Sequence, residues 1–227
     1  MATVAILQSN YVPWRGYFDL IRRSDHFVLY DTVQYTKNDW RNRNRIVAPN
    51  GPVWVTIPVL QSNRFGQSIA ETLISDPRWT RRHLGTLQAA LGRAPRYRDV
   101  LAPALDVWYR DAAALNSLSG VNRLLIERVM QMLGLATKLH NAADLPQTGD
   151  RTGRLVSMCQ ALGARRYLTG PAARAYLDEA QFTRAGIAVD WMTYPDYPAY
   201  PQADKGYTPA VSILDVLASL PADKVFG

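Results

Sequence analysis

Residues 8–15 crowd together Gln8, Asn10, Tyr11, Trp14 and Arg15, and Asp31 and Gln34 follow a short distance on. Carboxamides read the polar edges of a ligand, aromatic rings stack on it, and a carboxylate takes a proton or binds an amine. A turn that only had to reverse the chain would be served by small turn-forming residues. Large polar and aromatic side chains are costly to order unless they bind something. Gln8, Asn10, Tyr11, Trp14 and Gln34 are therefore candidate substrate-binding residues and Asp31 a candidate base. The competing reading makes Trp14, Tyr17 and Phe18 core anchors and Asn10 a turn stabiliser.

A second group lies in Lys37-Asn-Asp-Trp-Arg-Asn-Arg-Asn-Arg45. With almost no aliphatic residue it reads as an exposed or ligand-facing loop, not a core element. In an extended segment the alternation puts Arg41, Arg43 and Arg45 on one side. With Lys37 and the ring of Trp40 they make a candidate phosphate- or RNA-binding strip. A solvated loop is the alternative.

His83 follows Trp79-Thr80-Arg81-Arg82, and the flanking arginines favour a neutral imidazole able to act as a base. A helix cap or surface histidine is the plainer reading. His26, His83 and His140 are scattered with no carboxylate at ligand spacing, so no metal site is expected. Gly170 ends the strand Arg166-Tyr-Leu-Thr-Gly170, where it permits close backbone approach to a ligand. Tyr194, Tyr197, Tyr200 and Tyr207 either wall a pocket or belong to a packed, proline-stiffened loop. No nucleophile elbow, phosphate-cradling glycine loop or Cys–His pair of recognisable context is present, which disfavours covalent serine or cysteine catalysis.

The elements that must position these groups read as α/β. Val4–Leu7 and His26–Tyr30 are buried runs flanking a helix at Tyr17–Arg23, a unit that makes neighbouring parallel strands. Asp31 then lies at a strand's carboxyl end, where open α/β sheets bind ligands, so that Gln8, Asn10 and Asp31 converge. Val53–Val59 and Ile69–Ile74 read as a hairpin. Residues 79–135 turn to helical periods, with Asn116 as a cap. The last third returns to strands at Thr137–His140, Arg166–Gly170 and Ile187–Met192. Helices are expected at 152–162, 175–186 and 211–220. The expected fold is a Rossmann-like, mostly parallel sheet in one domain over 1–227, with 1–75 and 136–227 as core sheet and 76–135 as a helical insertion.

These residues also carry a resemblance. Gln8-x-Asn10-Tyr11-x-Pro13-Trp14-x-Gly16-Tyr17-Phe18, Asp31-x-Val33-Gln34-Tyr35 and Asn42-Arg43-Asn44 are similar to the WbqC-like protein family. Tyr167-Leu168-x-Gly170, Tyr176-Leu177 and Ser212-Ile213-Leu214-Asp215 continue the likeness in the same order, across essentially the whole chain. Ser9 departs from the proline usual there. The resemblance implies a biosynthetic enzyme of polysaccharide or natural-product pathways. The order of elements is also similar to that of nucleotidyltransferase-like Rossmannoid enzymes, though their paired His motif is missing.

The chain has 227 residues and a net charge of +7, which suits one core and an anionic substrate or partner. A single cysteine, Cys159, in an apolar helical pattern excludes a disulfide framework and a thiolate cluster. No basic region precedes a long apolar run and no apolar stretch reaches the about 18 residues of a membrane span, so cytoplasmic residence and no membrane partner are expected. The leading expectation is a transferase that moves an acyl or aminoacyl group to a small-molecule amine or sugar acceptor, from an aminoacyl-tRNA or another nucleotide-linked donor. Nucleotidyl transfer using ATP and magnesium is the second, and a non-catalytic sugar- or nucleotide-binding accessory protein the third.

Overall fold

The computed structural model describes residues 2–227, which divide into two compact units. The first comprises the chain up to Gln8 with Gly16–Val33 and Leu135–Pro195. The second comprises Ser9–Arg15, Gln34–Gly134 and Asp196–Gly227.

Unit 1 is an α/β sandwich. Its strands are β1 (Ala2–Leu7), β2 (His26–Leu29), β5 (Lys138–Asn141), β6 (Ala164–Thr169) and β7 (Ala188–Trp191). They pair in the order β5-β2-β1-β6-β7, and every pairing is parallel. Short continuous apolar runs such as Val4-Ala5-Ile6 form these strands because a parallel sheet is covered on both faces. The crossover helices are α1 (Arg15–Arg22), α5 (Arg151–Ala161) and α6 (Glu179–Arg184). On one side Val4, Ile6 and Val28 pack with Leu155, Met158, Cys159, Tyr167 and Phe182. Tyr167 and Phe182 stack with centroids 4.8 Å apart. Burial pushes the Cys159 thiol up to about 12, so the lone cysteine is an inert core residue.

Unit 2 is built on a hairpin of β3 (Arg43–Ala48) and β4 (Gly51–Thr56), with helices α2 (Trp79–Leu91), α3 (Ala102–Ala113), α4 (Leu118–Met132) and α7 (Ile213–Ser219). A π-helical turn at Tyr97–Leu101 leads into α3. Gly51 at φ +105 closes the hairpin, a backbone region that glycine enters at no steric cost.

Four expectations need correction. The hairpin joins β4 to the basic segment and not to Ile69–Ile74, which makes only isolated bridges from Ile74 to Val59 and from Leu73 to Ser117. The run 37–45 is accordingly not all loop: from Arg43 onward it is strand, because its asparagines alternate inward and are buried while the arginines stand outward. Ser117, not Asn116, caps α4, its Oγ accepting from the Gly120 N–H at 3.2 Å. The single helix expected over 175–186 is a 3-10 turn at Pro171–Ala175 followed by α6, since Asp178 caps a new start by accepting from the Ala180 N–H.

Candidate functional site

In unit 1, β2, β1 and β6 lie side by side and parallel, so their carboxyl ends share one edge. Asp31, Gln8 and Gly170 stand just beyond those three ends. The Gln8 carbonyl accepts from the Tyr17 hydroxyl at 3.1 Å, which fixes the turn as it leaves β1. Asp31 is buried, at 5% exposure. Gly170 has extended backbone at φ −73, and a Cβ placed there would meet only the Tyr194 hydroxyl, at 3.6 Å. Neither backbone nor neighbours demand glycine at that position, so the space above it is open to a ligand. From β1 the chain winds outward through β2 and β5 on one side and β6 and β7 on the other, and the strand order reverses between β1 and β6. Open α/β sheets bind ligands outside that reversal.

In unit 2, Asn10, Pro13, Trp14, Trp40, Asn44 and Ala210 line a cleft of about 280 Å³. Two indoles dominate its lining, while the Asn44 carboxamide is buried and spent on the protein, donating to the Tyr11 and Val12 carbonyls and accepting from the Arg45 N–H at 2.8 Å. The loop that supplies Asn10 and Trp14 is bonded at almost every residue. Asn122 Nδ2 donates to Ser9 Oγ at 3.0 Å, and the Tyr11 N–H donates to the Trp40 carbonyl at 3.0 Å. Asn44 Nδ2 donates to the carbonyls of Tyr11 and Val12 at 3.1 and 2.9 Å, and the Ser212 hydroxyl to that of Val12 at 2.7 Å. These bonds hold Val12 at φ +36, where a β-branched residue costs about 1–3 kcal/mol. Strain of this kind persists only where the surroundings over-determine it.

Arg15, next to the cleft residues in sequence, is buried in the same unit. Its guanidinium donates to the Pro198 carbonyl at 2.9 Å and lies over the rings of Tyr197 and Tyr200 at 4.8 and 5.6 Å. The tyrosine loop therefore wraps an arginine, and Tyr197 also meets Trp14 edge to face at 6.1 Å.

The basic strip divides by residue. Arg41 donates to Asn10 Oδ1 and pairs with Asp39 at 3.5 Å, which aims the Asn10 amide. Arg43 lies over Trp54 at 4.3 Å and donates to the Asn38 carbonyl at 2.5 Å. Arg45 approaches both Trp40 and Trp54, at 5.8 and 5.6 Å from their centroids, and donates to the Ala210 carbonyl at 3.0 Å. Lys37 and Gln34 are exposed, and Gln34 bridges to Ser68.

His83 is neither a cap nor a surface residue: it is 5% exposed. Nε2 lies 3.0 Å from the Thr56 carbonyl, and Nδ1 2.7 Å from the Tyr11 hydroxyl, which also bonds the Tyr109 hydroxyl. A carbonyl only accepts, so Nε2 carries the proton and Nδ1 accepts from Tyr11. The Tyr109 hydroxyl must then donate to Tyr11. Burial lowers the His83 pKa to about 4, with the Arg82 charge a smaller cause in the same direction. The imidazole is neutral as the arginine-rich sequence implies, but chiefly for a different reason. Burial also raises both tyrosines, so the whole chain is uncharged.

A family model for the WbqC-like protein family matches residues 8–225. The chain belongs to this family. It is also similar to the uncharacterized protein Rv1507c of Mycobacterium tuberculosis (strain H37Rv), at 43% identity over 226 residues, 98% of this chain and 96% of the relative. Membership makes this architecture that of a WbqC-like protein, and no helix among its described residues is long and apolar enough to cross a membrane.

Four residues that build this WbqC-like framework had no role assigned from sequence, although Asn44, Ser212 and Asp215 fall within its motifs. Asn44 and Asn122 hold the cleft loop through buried amides, and Ser212 anchors Val12. Asp215 Oδ2 accepts from the Val47 N–H at 2.7 Å and Oδ1 from the Tyr200 hydroxyl at 3.0 Å, and burial raises its pKa. The available signal was polar residues at positions whose spacing turns them inward, as Asn42 and Asn44 are within the arginine run.

Proposed function

We propose that the protein is a group-transfer enzyme that joins an acyl or aminoacyl group to the amine of a small-molecule or sugar acceptor in a biosynthetic pathway. The observation that carries this reading is the shared edge of β2, β1 and β6, which sets a buried carboxylate, a carboxamide and an open glycine beyond three adjacent strand ends. Gln8 holds the acceptor and Asp31 receives the amine proton as the nitrogen attacks the donor carbonyl. The new C–N bond forms, and the bond from that carbonyl to the donor's oxygen breaks. The freed hydroxyl or phosphate oxygen takes the electron pair.

The cleft of Asn10, Trp14, Trp40 and Asn44 is proposed to bind a planar or sugar ring. The guanidiniums of Arg43 and Arg45 beside the indoles, with the exposed Lys37, give unit 2 a cationic face suited to an aminoacyl-tRNA or nucleotide-linked donor. His83, with both ring nitrogens engaged, is assigned a positioning role through Tyr11. Asp31→Asn tests the reading: it removes the base but keeps the size and one acceptor oxygen, so turnover is expected to vanish with the fold retained in the thermal unfolding profile. Turnover within a few-fold of the parent would refute Asp31 as base.

The strand order favours one second reading, in which a Rossmann-like sheet places a nucleotide at the reversal between β1 and β6 and the enzyme transfers a nucleotidyl group. That reaction uses ATP and magnesium. Asp31 is the carboxylate at that edge, and the triphosphate oxygens would complete a magnesium shell. Release of pyrophosphate on incubation with ATP separates this reading from acyl transfer from an aminoacyl-tRNA.

A further inference from the structure

The carboxyl edge of unit 1 carries two arginines that the reading above leaves unused. Arg174 belongs to the 3-10 turn Pro171–Ala175 directly after β6 and Gly170. Arg151 begins α5, on the connection from β5 to β6. Each guanidinium lies over an aromatic ring: Arg174 over Trp191, the last residue of β7, with Cζ 4.7 Å from the centroid, and Arg151 over Tyr176 at 3.6 Å. Tyr176 closes the turn that carries Arg174, so one ring ties the two arginines into a single loop cluster. The Asp178 N–H donates to Thr152 Oγ1 at 3.3 Å and Gln181 Nε2 to Asp150 Oδ2 at 3.0 Å, which fastens the start of α5 to the start of α6.

Both arginines are exposed, and among the described residues neither has a hydrogen bond or an ion pair. The neighbouring acids are engaged elsewhere. Asp150 accepts from the Gly153 N–H at 2.7 Å, Asp178 caps α6, and Asp190 pairs with Arg166 at 2.5 Å. A guanidinium held over a ring by cation–π attraction is restrained in position while its N–H groups remain available to an anion. That is the arrangement that meets phosphate oxygens two at a time with little ordering cost. Arg41, Arg43 and Arg45 differ, because each already donates to an amide or carbonyl oxygen of the protein.

We infer that Arg151 and Arg174, held on Tyr176 and Trp191, are an anion clamp for the phosphate groups of the donor at the carboxyl edge of the sheet. The assignment of that anion to a donor rests on the group-transfer reading; the clamp itself does not. Inorganic pyrophosphate is the probe, titrated calorimetrically into the full chain at low salt, for the parent, Arg151→Gln, Arg174→Gln and, as a charge-matched control on the exposed part of α6, Arg184→Gln. Losing one bidentate guanidinium is expected to weaken binding roughly tenfold or more in each of the first two variants and to leave Arg184→Gln within about twofold. Arg174→Lys, which keeps the charge but not the fork, should fall between Arg174→Gln and the parent.

No binding of pyrophosphate by the parent, or equal affinities in all four proteins, would overturn the clamp. If the clamp behaves as expected but the parent transfers no acyl group, the transfer reading falls and the clamp stands. If transfer proceeds and pyrophosphate affinity ignores both substitutions, the clamp falls and the transfer reading stands.

Discussion

The buried His83 makes a prediction about acid stability that can be worked through in numbers. Its pKa in the folded chain is about 4, against an ordinary value of 6.5, because burial disfavours the imidazolium. Above pH 6.5 the ring is neutral in both folded and unfolded chains and contributes no pH dependence. Between 6.5 and about 4 the unfolded chain binds a proton that the folded chain refuses, so folded stability drops as the pH falls. At 1.36 kcal/mol per unit of pKa difference, the shift corresponds to about 3 kcal/mol in full, of which roughly 2.5 kcal/mol is lost between pH 7.5 and 4.5. His83→Gln removes the titrating group. Urea unfolding of the parent and the variant at pH 7.5, 6.5, 5.5 and 4.5 isolates it, because carboxylates, His26 and His140 are common to both. The variant is expected to start less stable, since it breaks the bonds to Tyr11 and Thr56, and then to lose about 2.5 kcal/mol less than the parent over that range. Parallel loss in the two chains would refute a neutral, buried His83 and with it the proton order Tyr109 to Tyr11 to His83.

Two further substitutions probe unit 2. Asn44→Ala leaves the buried carbonyls of Tyr11 and Val12 short of a donor and should cost about 1–3 kcal/mol in a denaturant titration; a cost below a few tenths would show that the strained loop is held by other bonds. Trp40→Ala opens one wall of the 280 Å³ cleft and removes a ring on which Arg45 lies, so affinity for a nucleoside or sugar ligand found to bind there should fall by about tenfold with stability little changed. Unchanged affinity would remove Trp40 from the binding surface.

Much of unit 1 was legible because its central strands β1 and β2 are buried for most of their length. Val4–Leu7 and His26–Tyr30 announce themselves as buried runs beside a helix, Arg166–Gly170 reads as a strand ending in glycine, and parallel pairing of the first two follows from the crossover between them. Asp31, Gln8 and Gly170 could be placed at strand ends for the same reason. Unit 2 was harder to read. Arg43–Arg45 read as an exposed or ligand-facing loop because charge dominates its composition, yet the inward, buried Asn44 makes it a strand. His83 looked like a cap or surface residue after two arginines, yet its ring is taken into a pocket of Trp79, Tyr11 and Tyr109. Periodicity reports which side chains share a face but not which distant ring will cover them.

What the amino-acid sequence alone determined was local and compositional: the buried strands, the helix starts at Ser212 and near residue 150, the absence of a disulfide framework, and the WbqC-like motif. Apolar burial, capping and backbone sterics act over a few residues, and their signal is written in the order of the chain. The tertiary structure alone decided the strand order β5-β2-β1-β6-β7 and the partners of the polar groups, including Asn44 with Val12, Tyr11 with His83, and Arg174 with Trp191. Those partners are separated by up to many tens of residues. Their pairing is fixed by which buried donors and acceptors must be satisfied once the chain is packed, a condition that exists only in three dimensions.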